Sequence, residues 1–316
     1  MTKKNFLHQK NGARHQRGLS VSELMIALGL GALIVSMAAS VFLASRQAYL
    51  LHDESIQLHD NGRYALDAVS RAIHHIGRSA KEVSGGVADH DSMIRGFDHH
   101  SLNSTSAAVQ QPLPKSVNGS DILALRIANR AADSLGEDAV VNCAGFTTDQ
   151  PAVWSIFYVA VDHTGEAELY CKYQGKHAWA TAAIARGVES FQVLYGLSDQ
   201  AGAPPVRYLT ATQIDQLDQQ TNQSIPQVGS AVPQSNWNAI SEIRIGLLLH
   251  GSQPLRIDGL LLQHDLFGPL YADQYGVSDP GSRVDEAKLP AKVRNRLRRL
   301  FTSTIRLPAT VQELPA

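Results

Sequence analysis

The sequence lacks the features that define several protein classes. Only two of its 316 residues are cysteines, which excludes a disulfide-dense miniprotein. Glycine and proline, at 24 and 13 residues, are too few for a collagen or for low-complexity disorder. An excess of basic charge is also missing, because 28 Lys and Arg stand against 29 Asp and Glu. Nucleic-acid binding would need a local basic patch, and nucleic acid is not expected as a partner.

Catalytic and metal-binding motifs are missing as well. The chain has neither a Gly-x-Ser-x-Gly elbow nor a phosphate-binding glycine loop, so we predict no enzyme activity, no catalytic residues and no cofactor. Histidines stand together at residues 74–75, and beside aspartates at residues 89–91 and 98–100. Because no zinc-type ligand spacing recurs among them, no metal site is predicted either.

The N-terminal region contains a basic leader followed by a long apolar run. Residues 1–18 carry five Lys and Arg and no acidic side chain. Residues 24–44 contain no charge, and at ~1.5 Å per residue a helix of that length spans the ~30 Å apolar core of a bilayer. The positive-inside rule keeps the leader in the cytoplasm and places the rest of the chain across the membrane.

The junction between these two parts reads Gly18-Leu19-Ser20-Val21-Ser22-Glu23, and it resembles the class III signal of type IV pilins and type II secretion pseudopilins. The resemblance implies that a prepilin peptidase cuts after Gly18, that Leu19 becomes an N-methylated terminus, and that Glu23 is the fifth mature residue. Leu19 stands where the family usually has phenylalanine. It also implies that the Glu23 carboxylate pairs with the Leu19 amine of a neighbouring subunit and sets the axial register of a filament. The alternative is a single-pass anchor whose Glu23 reaches the headgroups.

A helical stripe continues beyond the apolar run and predicts one spine helix over residues 19–80. A coiled coil is the alternative. The charged residues between the stripe positions, Glu54 among them, are expected on the exposed surface. The apolar positions of the stripe are Leu51, Leu58, Leu66, Val69, Ile73 and Ile76.

The rest of the chain predicts an α+β fold, in which the helix lies on an antiparallel sheet of a type IV pilin-like head. A connecting loop is expected over residues 81–120 and a β-rich head over 121–316. An insertion at 198–234 is expected to hold a short helix capped by Thr210 or Thr212. Strands are predicted at residues 122–128, 139–143, 153–161, 167–173, 188–195, 240–249, 260–264 and 296–307, with a hairpin turn at 162–166.

Three blocks in the head, residues 187–196, 237–249 and 298–307, are similar to PilW-type minor pilins. The resemblance implies a low-abundance subunit that initiates pilus assembly and joins the fibre. Its implied partners are other minor pilins, the major pilin, the prepilin peptidase and the inner-membrane assembly platform, with a PilY-type tip adhesin as a further candidate. Its implied location is the bacterial inner membrane with a periplasmic head, and later the pilus fibre or tip. A J-type pseudopilin and a membrane-anchored periplasmic enzyme or binding protein are the alternatives.

Two further expectations concern the head. Because the compartment beyond the membrane is oxidising, Cys143 and Cys171 are predicted to form a disulfide rather than two buried thiols. The run of basic residues between Lys292 and Arg299 is interpreted as the solvated edge of a strand, with DNA contact as the alternative.

Overall fold

The computed structural model describes residues 18–82, 94–128, 141–148, 150, 152–198, 204–224 and 235–307. It is an α+β protein with a long N-terminal helix and antiparallel sheets, so the predicted pilin-like fold class is confirmed. The chain divides into two compact units, Met1–Leu51 and His52–Ala316. The predicted leader up to residue 17 lies outside the described residues.

Four helices and eleven strands are described. Helix α1 is Val21–Glu82, α2 is Ala211–Ser224, α3 is Pro269–Tyr275 and α4 is Ala291–Arg294. The strands are β1 (Ile94–Phe97), β2 (Ile122–Ala128), β3 (Ala152–Val161), β4 (Ala167–Gln174), β5 (Trp179–Arg186), β6 (Val188–Leu197), β7 (Arg207–Leu209), β8 (Ile240–His250), β9 (Gln263–Asp265), β10 (Arg283–Asp285) and β11 (Arg298–Arg306).

The strands form two main sheets and one short pair. A five-stranded antiparallel sheet follows chain order from β1 to β5. The second sheet has the order β11-β8-β6-β7, and β9 pairs with β10. The expected single sheet is therefore two sheets. The predicted hairpin between β3 and β4 is confirmed: the Asp162 carboxylate accepts the backbone N–H groups of Thr164 and Glu166, each at 2.8 Å, and Gly165 takes the positive φ that the turn needs.

One apolar core joins both sheets to helix α1. Ala65, Val69 and Ile73 of the helix are fully buried, in one cluster with Phe157 of β3 and Phe191 of β6. Every residue of β6 is buried, as expected for a strand covered on both faces. The predicted stripe is confirmed from Leu58 to Ile76, with Leu66 only partly buried.

Two smaller apolar clusters cover the remaining faces of the sheets. Strand β2 alternates, so Leu123 and Leu125 enter the main core while Ile122 and Ala124 pack with Leu102 on the other face. In the second sheet, the segment that runs from β9 to α4 covers the far face of β8. The residues of that cluster are Leu248, Leu266, Val284, Leu289 and Val293.

Several sequence predictions differ from the structure. The expected loop at 81–120 contains strand β1 and a 3-10 turn, Val117–Gly119. Strand β5 was not predicted, because its sequence, WATAAIAR, is rich in alanine and has little strand propensity. The strand expected at 260–264 is reduced to β9.

Two other predictions have mixed outcomes. Residues 139 and 140 of the strand expected at 139–143 lie outside the described residues, and Val141 makes only an isolated bridge to Thr147. The insertion holds β7 and the predicted helix α2. Thr210 caps that helix, since its hydroxyl accepts the Gln213 N–H at 3.4 Å while the Gln213 side chain accepts the Thr210 N–H at 3.0 Å.

Candidate functional site

The motif that resembles a prepilin signal lies at the start of helix α1. Gly18, Leu19 and Ser20 precede the helix and are exposed. Ser20 and Glu23 form a reciprocal capping box: the Ser20 N–H donates to Glu23 Oε2 at 2.9 Å, and the Glu23 N–H donates to Ser20 Oγ at 3.2 Å. The resemblance to prepilins implies that Glu23 pairs with a neighbouring subunit, and it does not indicate this capping role, although the Ser-x-x-Glu spacing is the usual signal of a capping box.

The first unit of the chain is an apolar helix with an exposed surface. Helix α1 is, within the described residues, the one helix long and apolar enough to cross a membrane. Leu28, Ile34 and Phe42 are each about two-thirds exposed, at 66%, 65% and 66%. A contiguous apolar surface of this kind needs lipid or other apolar helices around it.

The polar and small residues of this apolar segment are compatible with such surroundings. The Ser36 hydroxyl donates to the Ala32 carbonyl at 2.8 Å, and Ser40 donates to Met37 at 2.8 Å, so both hydroxyl protons are used within the helix. Gly29 and Gly31 have no neighbouring atom within 4 Å of where a Cβ would lie. The segment therefore presents a smooth surface that another helix can approach closely.

Glu54 attaches helix α1 to the head. It is 5% exposed, and its carboxylate accepts the backbone N–H of Ser252, the Ser252 hydroxyl at 3.1 Å and the Gln253 N–H at 3.1 Å. The expectation that Glu54 lies on the exposed surface is wrong. The turn that binds it is formed almost 200 residues later in the chain, beyond what helical periodicity can indicate.

Strand β11 approaches the same helix closely. A Cβ built on Gly62 would lie 2.3 Å from the Phe301 ring, so the absence of a side chain at residue 62 is what admits the ring. His59, one turn earlier, has its ring centroid 6.0 Å from that of Phe301.

A disulfide joins Cys143 and Cys171, whose Cα atoms are 5.9 Å apart. Cys171 lies on β4 and is fully buried, while Cys143 belongs to the segment 141–148. The Cys143 N–H also donates to Ser155 Oγ on β3 at 3.0 Å. The bridge and this hydrogen bond together hold the segment against the five-stranded sheet.

The basic run between Lys292 and Arg299 does not form a solvated strand edge, so that interpretation is wrong for its central residues. Arg298 is 1% exposed and makes a two-pronged contact with Glu189, at 2.7 and 3.0 Å. Arg296 contacts Glu166 in the same way, at 2.8 and 2.9 Å, and holds the pKa of that carboxyl below its usual range. These arginines join β11 and the residues before it to the rest of the head.

Glu286 is the centre of a second group of charges in this region. Its side chain is fully buried, and it accepts two hydrogen bonds from Arg256, both at 2.9 Å, and one from the Leu262 N–H at 3.1 Å. His264 lies 2.9 Å away and Arg298 3.4 Å away. Buried charges are tolerated only when they are paired in this manner.

Three residues of the head could hold a metal ion. One ligand atom each from His99, Asp121 and Asp279 lies within 4.8 Å of the others. Burial raises the pKa of Asp121 well above its ordinary value, with further contributions from the charges of Asp98 and Asp279. Burial likewise raises the pKa of Asp279 to about 6. Sequence reasoning missed this group because its members are far apart in the chain.

The long helix, the antiparallel sheets and the exposed apolar segment together define the class of protein. It is an α+β, type IV pilin-like protein with an N-terminal apolar helix. Residues 156–309 match the family model described as type IV pilus-assembly protein W. The predicted resemblance to PilW is thus confirmed, and the three sequence blocks that carried it all fall inside the matched region. The chain is similar to PilW over this region, and the match supports a role in type IV pilus assembly. No curated protein and no solved structure matched the chain significantly.

Proposed function

We propose that this chain is a minor pilin that helps to initiate a type IV pilus and is incorporated into it. The observation that carries the proposal is the contrast along helix α1. From Leu58 to Ile76 the helix buries its apolar stripe in the head, whereas the apolar side chains of the first unit remain exposed. The match of residues 156–309 to a pilus-assembly family supports the same assignment over a type II secretion pseudopilin.

The proposed mechanism is a transfer between two apolar environments. The exposed segment is held in the inner membrane, with the head in the periplasm, until the assembly platform extracts it. Other pilin helices then replace lipid around it, so little apolar surface meets water during the transfer. Other minor pilins and the major pilin are the proposed partners, and a PilY-type adhesin is a candidate partner at the tip.

Processing is the first part of this proposal to test. Intact-mass and N-terminal peptide spectrometry of the protein from its native membrane, with and without the prepilin peptidase, gives a direct readout. We expect a chain that begins at Leu19 and carries one added methyl group, and only when the peptidase is present. A chain that begins at Met1, or that is cut near Ala44, would contradict the proposal and favour an anchored or secreted periplasmic protein.

The proposed pairing of Glu23 with the Leu19 amine must be separated from its capping role. Glu23→Gln keeps an acceptor for the Ser20 N–H but removes the charge. Ser20→Ala is the matched control, because it removes the hydroxyl cap and leaves the carboxylate in place. We expect Glu23→Gln to reduce incorporation into sheared pili strongly while Ser20→Ala retains most of it. Normal incorporation of Glu23→Gln would overturn the pairing, and equal losses in both variants would assign Glu23 to the cap alone.

A further inference from the structure

Three parts of the head that are distant in sequence converge on one point. His99 follows β1, Asp121 immediately precedes β2, and Asp279 lies in the turn after α3. Their ligand atoms lie within 4.8 Å of one another, and both carboxylates are 3% exposed. An imidazole with two carboxylates is a common ligand set for divalent transition metals.

The His99 ring is oriented as a metal ligand would be. Its Nδ1 lies 3.1 Å from the Gly119 carbonyl oxygen, which can only accept a hydrogen bond, so Nδ1 carries a proton. Nε2 faces two more acceptors, the Ser278 carbonyl oxygen at 3.3 Å and Asp279 Oδ1 at 4.0 Å. A cation at Nε2, either a second proton or a metal ion, satisfies these acceptors. Metal-bound histidines characteristically donate their other N–H to a carbonyl or carboxylate in this way.

Each carboxylate keeps a lone pair for a ligand. Asp279 Oδ2 accepts the Tyr271 hydroxyl at 2.9 Å, which leaves Oδ1 towards His99. The Asp121 oxygens each accept one backbone N–H, from His99 at 3.1 Å and Val193 at 2.9 Å. Among the residues described, His99 is the one basic side chain within ion-pair distance of either carboxylate. Two buried carboxylates beside one basic side chain are stabilised by a further cation, either a metal ion or a proton.

A fourth polar group lies beside the cluster. Gln192 is completely buried, and its Nε2 donates at 2.8 Å to the same Gly119 carbonyl that meets the His99 ring. Its Oε1 has no hydrogen-bond partner within the described part of the chain. Asp98 is not available in the same way, because its carboxylate caps helix α2 by accepting the N–H groups of Ala211 and Thr212 at 3.0 and 2.8 Å. An unpaired amide oxygen at this depth calls for a partner, such as a bound ion or an ordered water molecule.

We propose that His99, Asp121 and Asp279 bind one divalent transition-metal ion, with Zn²⁺ as the best match to the ligand types. Metal–ligand bonds of about 2.0–2.1 Å in tetrahedral geometry place ligand atoms about 3.3 Å apart. The ligand atoms, which lie within 4.8 Å of one another, would therefore move closer by up to about 1.5 Å on binding. The role is structural: the ion joins the turn after α3 to the start of β2, which ties the cover of the second sheet to the first sheet. This site is independent of the proposed role of helix α1.

Metal analysis of the untagged full-length protein in detergent tests the proposal. After growth with Zn²⁺ and desalting, we expect about one zinc ion per chain by inductively coupled plasma mass spectrometry. The zinc content should be at least tenfold lower in His99→Gln and in Asp279→Asn. His163→Gln is the matched control, because His163 is 89% exposed and lies in the β3–β4 turn. It should retain zinc like the unmodified chain.

A second readout avoids variants that fail to fold. EDTA should lower the melting temperature of the unmodified chain, and equimolar Zn²⁺ should restore it. The proposal would be overturned if the unmodified protein contained no zinc at neutral pH and its melting temperature changed with neither EDTA nor Zn²⁺. A proton, not a metal ion, would then be the cation that compensates the carboxylates. If His99→Gln and Asp279→Asn retain as much zinc as the unmodified chain does, the proposal is also overturned.

Discussion

The Phe301 ring of strand β11 occupies the space where a side chain at Gly62 of helix α1 would lie. The strand reaches the helix only because residue 62 has no Cβ. Glycine in the middle of a helix costs roughly 0.5–1 kcal/mol relative to alanine, so this close packing has a local cost in helix stability.

Replacing that glycine tests how much the contact contributes. Gly62→Ala places a methyl group 2.3 Å from the ring, and overpacking of this kind costs typically about 1–3 kcal/mol, more than the gain in helix propensity. We expect a lower melting temperature by circular dichroism. Gly29→Ala, at a position with open space, is the control and should leave the melt unchanged or slightly higher. A melt for Gly62→Ala as high as that of Gly29→Ala would show that Phe301 moves aside freely.

The Glu54 contact predicts how firmly the helix is attached to the head. Glu54→Gln keeps one oxygen to accept the backbone N–H groups, but it removes the charge and puts an amide in place of the oxygen that accepts the Ser252 hydroxyl. Loss of a hydrogen bond to a charged group costs about 1.5–3 kcal/mol. The free energy of unfolding in urea should fall by that amount. Asp53→Asn, one residue earlier and exposed, should change it little. If both variants unfold alike, the Ser252 and Gln253 contacts do not hold the helix.

Arg298 predicts the largest effect of a single side chain. Arg298→Met leaves Glu189 buried without its cation, and breaking a buried ion pair on one side costs about 3–5 kcal/mol. Arg299→Met, at the neighbouring exposed position, is the matched control and should cost less than about 1 kcal/mol. Urea unfolding of the two variants gives the comparison. A small loss for Arg298→Met would mean that Glu189 is protonated or reaches water once the arginine is removed.

The disulfide predicts a dependence on reductant. Cys143 and Cys171 close a loop with a sequence separation of 28, and a bridge of this kind stabilises by typically 2–4 kcal/mol. Reduction should lower the melting temperature of the unmodified protein and leave the Cys143→Ser/Cys171→Ser double variant unchanged. Two titratable thiols before reduction, with a melt indifferent to reductant, would contradict the bridge.

The buried amine of Lys172 is expected to make the stability of the folded protein depend on pH in the alkaline range. Its Nζ donates to the Asn103 carbonyl at 2.8 Å and to Ser106 Oγ at 2.9 Å, and burial lowers the pKa of Lys172 from its ordinary 10.5 to about 8. Between these two values the unfolded chain binds the proton more than the folded chain does. The folded state therefore gains stability from this group as the pH rises, and carries the full desolvation cost below about 8.

Lys172→Met isolates that effect, because it removes the titrating amine and leaves the other groups in place. The stability of the unmodified chain relative to the variant should rise between about pH 7.5 and 9.5, measured as a difference in melting temperature at each pH. A difference that stays constant over this range would mean that the amine titrates normally.

The sequence predicted those helices and strands whose own residues have a characteristic periodicity or composition. The apolar stripe from Leu58 to Ile76 indicates a helix, and the runs of apolar and β-branched residues in β2, β3 and β6 indicate strands. Strand β5 cannot be recognised in this way, because its alanine-rich sequence forms a strand only by pairing with the edge of β4. Strand β1 is four residues long and pairs with β2, so it too depends on a partner.

The candidate sites also divide into local motifs, which the sequence reveals, and contacts between distant residues, which it does not. Gly18 and Glu23 lie in one short motif and could be found from the sequence. Glu54 accepts from a residue 199 positions away, and Arg298 pairs with one 109 positions away. Such contacts exist only after the sheets have formed, and charged residues in a sequence are expected at the surface by default.

The capping box at the start of helix α1 has a consequence for maturation. Ser20 and Glu23 both lie downstream of Gly18, so a cut after Gly18 removes neither member of the pair. The precursor and the shortened chain would thus begin their helix with the same first turn, and the proposed leader removal would require no refolding of the apolar segment. Under the proposed processing, Leu19 and Ser20 would remain outside the helix and exposed, where a peptidase and then a methyltransferase could reach them.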